Sequence, residues 1–110
     1  DINVSRDWSY AGDIVESMWL MLQTNQPKDY VVGSGSLHTV KELLDIAFNE
    51  ISLNWKDFIE IDTSLIRSVD YKAPCANSSK ICEDLGWKAK VKFEDLIKSM
   101  VLNDIYIEKK

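Results

Sequence analysis

One histidine, two cysteines, two prolines and four glycines in 110 residues leave little of the usual material for metal or nucleophile chemistry. Cys75 and Cys82 have six residues between them. That spacing matches no common zinc pattern, and a lone histidine cannot complete one. Both cysteines are therefore expected to be reduced thiols in or near the core of a cytoplasmic protein. His38 has no serine or cysteine nucleophile beside it and reads as structural or solvent-facing. Positive charge is also short. Lys+Arg numbers 13 against 18 Asp+Glu, a net charge of −5, which argues against nucleic acid and anionic membranes as partners of the chain as a whole. No apolar run approaches the roughly 18 residues that span a bilayer; the stretch 18–22 is far shorter. No signal peptide is visible, but the sequence opens at Asp1 without Met, so that absence carries no weight.

The scarcity of glycine bears on cofactor binding. The segment Gly33-Ser34-Gly35-Ser36-Leu37-His38 has two glycines and lacks the third of a dinucleotide fingerprint, whose three glycines have separate steric jobs. A tight turn entering the following helix is the simpler reading. Tyr106 and Lys110 have the Tyr-x-x-x-Lys spacing of short-chain dehydrogenases. Lys110 is the last residue, where chains fray, and a catalytic pair needs a fixed cofactor beside it. The adjacent acids Glu83 and Asp84 read as a solvated helix face.

What the chain does have is amphipathic patterning. Its length fits one small domain, and 45% of it is hydrophobic. Residues 1–8 read as extended. From Ser9 or Tyr10 to about Gln23, the residues Ala11, Ile14, Val15, Met18, Trp19 and Leu22 recur at helical spacing on one apolar face. Tyr30, Val31 and Val32 give a short strand signal. Thr39 and Glu42 form a capping box for a helix ending near Ile51 or Ser52, with Val40, Leu43, Leu44, Ala47, Phe48 and Ile51 inward. Residues 58–61 alternate like an edge strand. Residues 62–76 read as irregular, apart from an extended piece from about Ile66 to Tyr71. Asn77 or Ser78 caps a short helix that Gly86 terminates. A last helix runs from about Phe93 to Ile107. The fold class predicted is a small mixed α/β lobe of about four helices and two or three short strands. So small a sheet cannot cover the helices, so the lobe's apolar surface is expected to pack on something else.

Of the 13 basic residues only Arg6 and Arg67 are arginines. A guanidinium can grip phosphate oxygens bidentately, which lysine cannot do. Composition alone favours ordinary surface or carboxylate pairs for both. Their surroundings add a second consideration. The run Arg6-Asp7-Trp8-Ser9-Tyr10-Ala11-Gly12-Asp13 through Met18-Trp19-Leu20-Met21-Leu22 resembles the extended short-chain dehydrogenase/reductase family, and within it the GDP-mannose 4,6-dehydratases. Asp29-Tyr30-Val31-Val32 through His38-Thr39-Val40, then Asn54-Trp55-Lys56-Asp57-Phe58, then Leu65-Ile66-Arg67 through Leu85-Gly86-Trp87-Lys88 follow in the family's order. The resemblance covers almost the whole chain.

The resemblance implies that residues 1–110 are the C-terminal substrate-binding lobe of a nucleotide-sugar dehydratase whose Rossmann domain, with NADP or NAD and the catalytic machinery, is not in this sequence. No cofactor, metal or catalytic residue is expected here, and the piece alone is expected to be inactive. Arg6 and Arg67 would contact the diphosphate or ribose of GDP-mannose. Asp70 stands where the family usually carries Glu and would accept from ribose hydroxyls or the guanine edge. The expected partners are a nucleotide sugar, the Rossmann domain and, when intact, further copies in a homo-oligomer. The family's Arg-Pro-Thr-Glu reads Arg67-Ser68-Val69-Asp70 here, which bears on base specificity. The same lobe of another nucleotide-sugar epimerase, dehydratase or reductase is a neighbouring reading, and a stand-alone protein-interaction module a more distant one.

Overall fold

The computed structural model describes residues 1–66 and 73–110. Among these residues, four helices and one short two-stranded ribbon make up the regular structure. In chain order they are β1 (Ser5–Arg6), α1 (Ala11–Leu22), β2 (His38–Thr39), α2 (Val40–Glu50), α3 (Ser79–Leu85) and α4 (Phe93–Glu108), with single 3-10 turns at Trp55–Asp57 and Thr63–Leu65. The mixed α/β lobe expected from the patterning is present.

The helix ends follow from local chemistry. At α2 the Thr39 hydroxyl accepts from the Glu42 amide at 3.1 Å, and the Glu42 carboxylate accepts from the Thr39 amide at 2.6 Å, so two orphan donors are met reciprocally. The other end closes with the Leu53 amide on the Phe48 carbonyl and the Ser52 amide on the Asn49 carbonyl, the paired 6→1 and 5→2 bonds of a Schellman motif. Its left-handed position is filled by a serine, Ser52, at φ 58°. At α3 the carboxamide of Asn77 accepts from the Ser79 amide at 3.1 Å. Gly86 terminates that helix at φ 70°.

Two expected strands are absent. Residues 30–32 and 58–61 have no ladder partner, and among the described residues the only pairing is antiparallel, Ser5 with Thr39 and Arg6 with His38. A β-rich pattern reports a fit to a pleated, half-buried surface, and no sheet lies beside either segment to supply one. The extended piece expected near 66–71 lies, beyond Ile66, outside the described residues.

The core is small. Ile81, Trp87, Phe93 and Ile97 are its buried apolar members, and Trp8 and His38 each stack on Phe93, with ring centroids 5.5 and 4.0 Å away. Helices α2 and α4 make the broadest helix–helix contact. Leu43, Leu44, Ala47 and Phe48 are half-buried as expected, whereas Ile51 is exposed. Cys82 is half-buried, but Cys75 is exposed rather than near the core.

Helix α1 turns a polar face inward. Asp13 is 4% exposed and Ser17 is fully buried. One turn apart on a helix, they share a face, and that polar face is the one turned inward. One carboxylate oxygen of Asp13 accepts from the amides of Lys90 at 2.8 Å and Val91 at 3.0 Å. The Asp13 carbonyl accepts from the indole of Trp87 at 2.8 Å. Most of the apolar stripe of α1 points to solvent, the exposed apolar surface expected of this lobe, while Ile14 is half-buried. Trp19 is 59% and Leu22 82% exposed, and Val15 and Met18 are exposed as well. On α4, Met100 is likewise 56% exposed.

The molecule is correspondingly open. Its accessible surface is 8388 Å², against about 6,200 Å² expected for a compact monomer of this mass. Its radius of gyration is 17.1 Å, where a compact chain of 100 residues has about 13 Å. An excess of about 2,000 Å² with an apolar stripe in it is the size of one side of an extensive interface.

Replacing Asp13 by Ala strands two backbone amides. A fully buried, unmade bond costs about 1–3 kcal/mol, and these two amides are part-buried, so thermal unfolding of Asp13→Ala is expected to show a loss of about 2–4 kcal/mol, with Asp13→Asn losing less. Ser52→Gly is expected to act in the opposite direction, raising stability by about 1 kcal/mol because glycine meets no Cβ penalty in the left-handed region. An unchanged or lowered melting temperature for Ser52→Gly would show that α2 does not end on this motif.

Candidate functional site

Arg6 is the sequence-predicted site residue that the structure describes. It sits on β1, and its pairing with His38 across the ribbon puts both side chains on one face. Its Nη1 donates to the Ser5 carbonyl at 2.8 Å, and the side chain is half-buried. Arg67 and Asp70 lie outside the described residues.

The next residue was not singled out by the sequence, and it organises the site. The Asp7 carboxylate accepts from the Ser34 amide at 3.0 Å and the Ser34 hydroxyl at 2.5 Å through one oxygen, and from the amides of Gly35 at 2.9 Å and Ala76 at 3.1 Å through the other. Ser78 completes the arrangement, its hydroxyl accepting from the Gly33 amide and donating to the Gly33 carbonyl, both at 3.1 Å. Three segments distant in sequence, around residues 7, 34 and 76, are thereby held together. Burial alone raises the Asp7 carboxyl, but the four hydrogen bonds from Ser34, Ala76 and Gly35 outweigh it and hold the pKa below its ordinary value.

The same bonds decide what the turn at 33–36 can bind. Its Ser34 and Gly35 amides, which a dinucleotide phosphate would need, already serve Asp7. The turn is therefore a carboxylate-bound loop and does not fit a cofactor pyrophosphate. Next to it opens a cleft of about 700 Å³ lined by Ser34, Ser36, His38, Glu42, Asp45 and Phe93, together with the 89–92 segment and Glu94. Most of its charged groups have partners, Glu94 with Lys98 at 2.7 Å among them. Lys90 meets the Glu16 carboxylate at 2.7 Å, and Asp45 accepts from the Trp55 indole at 2.6 Å. Glu42 is committed to the capping box, whose backbone bond to Thr39 is the main cause holding its carboxyl below the ordinary range.

The remaining motifs resolve into structure. His38 stacks within 5° of parallel on Phe93, and its Nδ1 lies 3.6 Å from Glu42. Lys110 lies 4.5 Å from the Tyr106 ring centroid, so that spacing produces a cation–π contact on an exposed helix end. Glu83 and Asp84 are exposed as expected. Asp84 also binds Lys28 and Tyr30, each at 2.9 Å, which ties the coil after α1 to α3. Among the described residues no group of three or more His, Cys, Asp or Glu is placed to hold a metal, and no helix is long and apolar enough to cross a membrane.

This architecture recurs in enzymes that act on nucleotide sugars. A dTDP-glucose 4,6-dehydratase from Bacillus anthracis, solved with NAD, superposes on 99% of the chain with a TM-score of 0.83 at 21% identity, using 34% of its own length. A UDP-glucose 4-epimerase from Thermotoga maritima, solved with UDP-glucose, covers 97% of the chain with a TM-score of 0.80 at 23% identity, using 33% of its own length. The fold is thus that of a portion of the short-chain-dehydrogenase-type epimerases and dehydratases. Within that class, residues 1–100 match the family described as GDP-mannose 4,6 dehydratase, and the chain belongs to that family. GDP-mannose 4,6 dehydratase 1 of Arabidopsis thaliana is 50% identical over all 110 residues. The chain spans about 30% of the length of that relative.

Because the folded-state pKa of Asp7 is depressed, its contribution to stability is complete above the ordinary aspartate value and is lost as pH falls through the lowered value. Acid unfolding below about pH 4 is expected to be steeper in the parent than in Asp7→Asn, which has no charge to lose. Superimposable acid limbs for the two proteins would mean that the clamp carries no folding linkage.

Proposed function

We propose that this chain is the substrate-binding lobe, C-terminal in the whole protein, of a GDP-mannose 4,6-dehydratase: a cytoplasmic lyase that converts GDP-mannose to GDP-4-keto-6-deoxymannose in deoxyhexose biosynthesis. One observation carries the reading. A GDP-mannose 4,6 dehydratase aligns with this chain from end to end at 50% identity while most of that relative lies outside the match. Binding falls to Arg6, with Arg67 and Asp70 as its companions on the nucleotide. Catalysis and NADP, or NAD, belong to a Rossmann domain, and whole enzymes associate as homo-oligomers.

The fold gives this division of labour a physical basis. The turn at 33–36 has given its amides to Asp7, so cofactor phosphates must be held elsewhere. The stripe of Val15, Met18, Trp19 and Leu22 on α1 is the surface on which the Rossmann domain packs. What remains to this lobe is to bind and align the sugar nucleotide, and remote binding of that kind lowers the barrier for chemistry performed by other residues.

In the full-length protein, Arg6→Ala is expected to weaken GDP-mannose binding by about 10- to 150-fold, the equivalent of the roughly 1.5–3 kcal/mol of a hydrogen bond to a charged group. NADP affinity should not move, and Arg6→Lys should recover only part of the loss. Titration calorimetry with both ligands measures this. Unchanged GDP-mannose affinity in Arg6→Ala would remove Arg6 from the site. The 110 residues alone should form no 4-keto-6-deoxy product from GDP-mannose and NADP, and its appearance above background would refute the division of labour.

A further inference from the structure

We infer that Asp7 is a positioning residue for nucleotide-sugar binding: its four-donor clamp fixes the backbone that aims Arg6 at the diphosphate. The inference rests on the reading of Arg6 given under Proposed function.

A ribbon of two residues on each strand is too short to hold a side chain in place by itself, since even a complete isolated hairpin is marginal in water. Arg6 is the last residue of β1, so nothing in the ladder restrains the chain beyond it. Asp7 supplies that restraint. It binds Ser34 and Gly35, which lie four and three residues before His38, the cross-strand partner of Arg6. Ladder and clamp thus close a small ring of chain in which Arg6 sits. On the other side of Arg6, the Val40 amide donates to the Val4 carbonyl at 3.2 Å and the Lys41 amide to the Ile2 carbonyl at 2.8 Å. The residue is bracketed from both directions.

The clamp is chemically specific. An ionised carboxylate offers about four acceptor sites and no donor, and four donors meet it here, three amides and one hydroxyl. Asparagine has one acceptor oxygen and would bring a donor against two of the amides. The clamp is also close-packed. A Cβ on Gly33 would run into the Ala76 side chain and come within 3.2 Å of the Asp7 carboxylate. Such a device matters most where geometry matters most. A fork gripping phosphate oxygens tolerates little displacement, and an error of about 1 Å in a positioned group can cost on the order of a hundredfold.

The test uses the full-length protein and steady-state kinetics with GDP-mannose. In Asp7→Asn the KM for GDP-mannose should rise about tenfold, with kcat and the KM for NADP within about twofold of the parent. Asp84→Asn, which loosens the Lys28 and Tyr30 contacts, should lower the melting temperature without moving KM, separating positioning from loss of stability. A folded Asp7→Asn with the parent's KM, or with kcat reduced at constant KM, overturns the inference. Should Asp7→Asn fail to fold, Ser34→Ala decides: it removes the hydroxyl bond to Asp7, with that hydroxyl's local contacts to Ser36, and leaves the three amide bonds; a several-fold rise in KM supports the role and an unchanged KM overturns it. If the parent does not turn over GDP-mannose, or if Arg6→Ala leaves KM unmoved, the reading of Arg6 fails and this inference with it. An effect of Arg6→Ala without one of Asp7→Asn sinks this inference alone.

Discussion

The contact of the Asp13 carboxylate with two consecutive backbone amides, those of Lys90 and Val91, decides which way α1 faces, and the character of the surface follows from it. A nearly buried carboxylate is tolerated only when its oxygens are met by donors, so the face of α1 that carries Asp13 must lie against the 87–91 segment. The Trp87 indole, donating to the Asp13 carbonyl, locks the same contact from the other side. Once the polar face is committed inward, the apolar residues at other angles around the helix have no choice but to look outward. The exposed stripe is therefore a consequence of where one aspartate is satisfied.

How much of this the sequence disclosed depends on the range of the interaction. Features set within one helical turn were legible: the Thr39–Glu42 capping box, the stop at Gly86, and the extents of α1, α2 and α4. The strand signals at 30–32 and 58–61 misled, because a strand is a relation between two segments and alternation describes only one. The direction in which α1 faces was not legible for a related reason. Periodicity finds an apolar stripe but not what lies opposite it, and in a piece of a larger protein the opposite surface need not be present. Asp13 lies in the first turn of α1, where an acid is ordinary. Asp7 stood inside the Arg-Asp-Trp motif that drew attention to Arg6, yet its donors lie 27, 28 and 69 residues away, and nothing local announces them.

Site and scaffold meet in one small region. The same turn that leads into α2 supplies the donors that bind Asp7, and the same ribbon residue, His38, pairs with Arg6 and stacks on the core phenylalanine Phe93. His38 thereby links core packing to the half-buried Arg6. The same fold recurs as a third of much longer chains.

The molecule's thinness has an electrical consequence. Its smallest dimension is 18 Å, so every residue lies close to one of the two broad faces. Mobile ions screen exposed charges over about 8 Å at physiological ionic strength, a distance comparable with half that thickness. The bridges Lys90–Glu16, Lys28–Asp84 and Lys98–Glu94 all sit within reach of that ion atmosphere. Added salt therefore divides the molecule's polar contacts into two kinds. Ion pairs on the faces weaken as the ion atmosphere contracts and grows denser, while carboxylates closed over by backbone amides, whose donors carry no net charge for a counterion to replace, keep their grip.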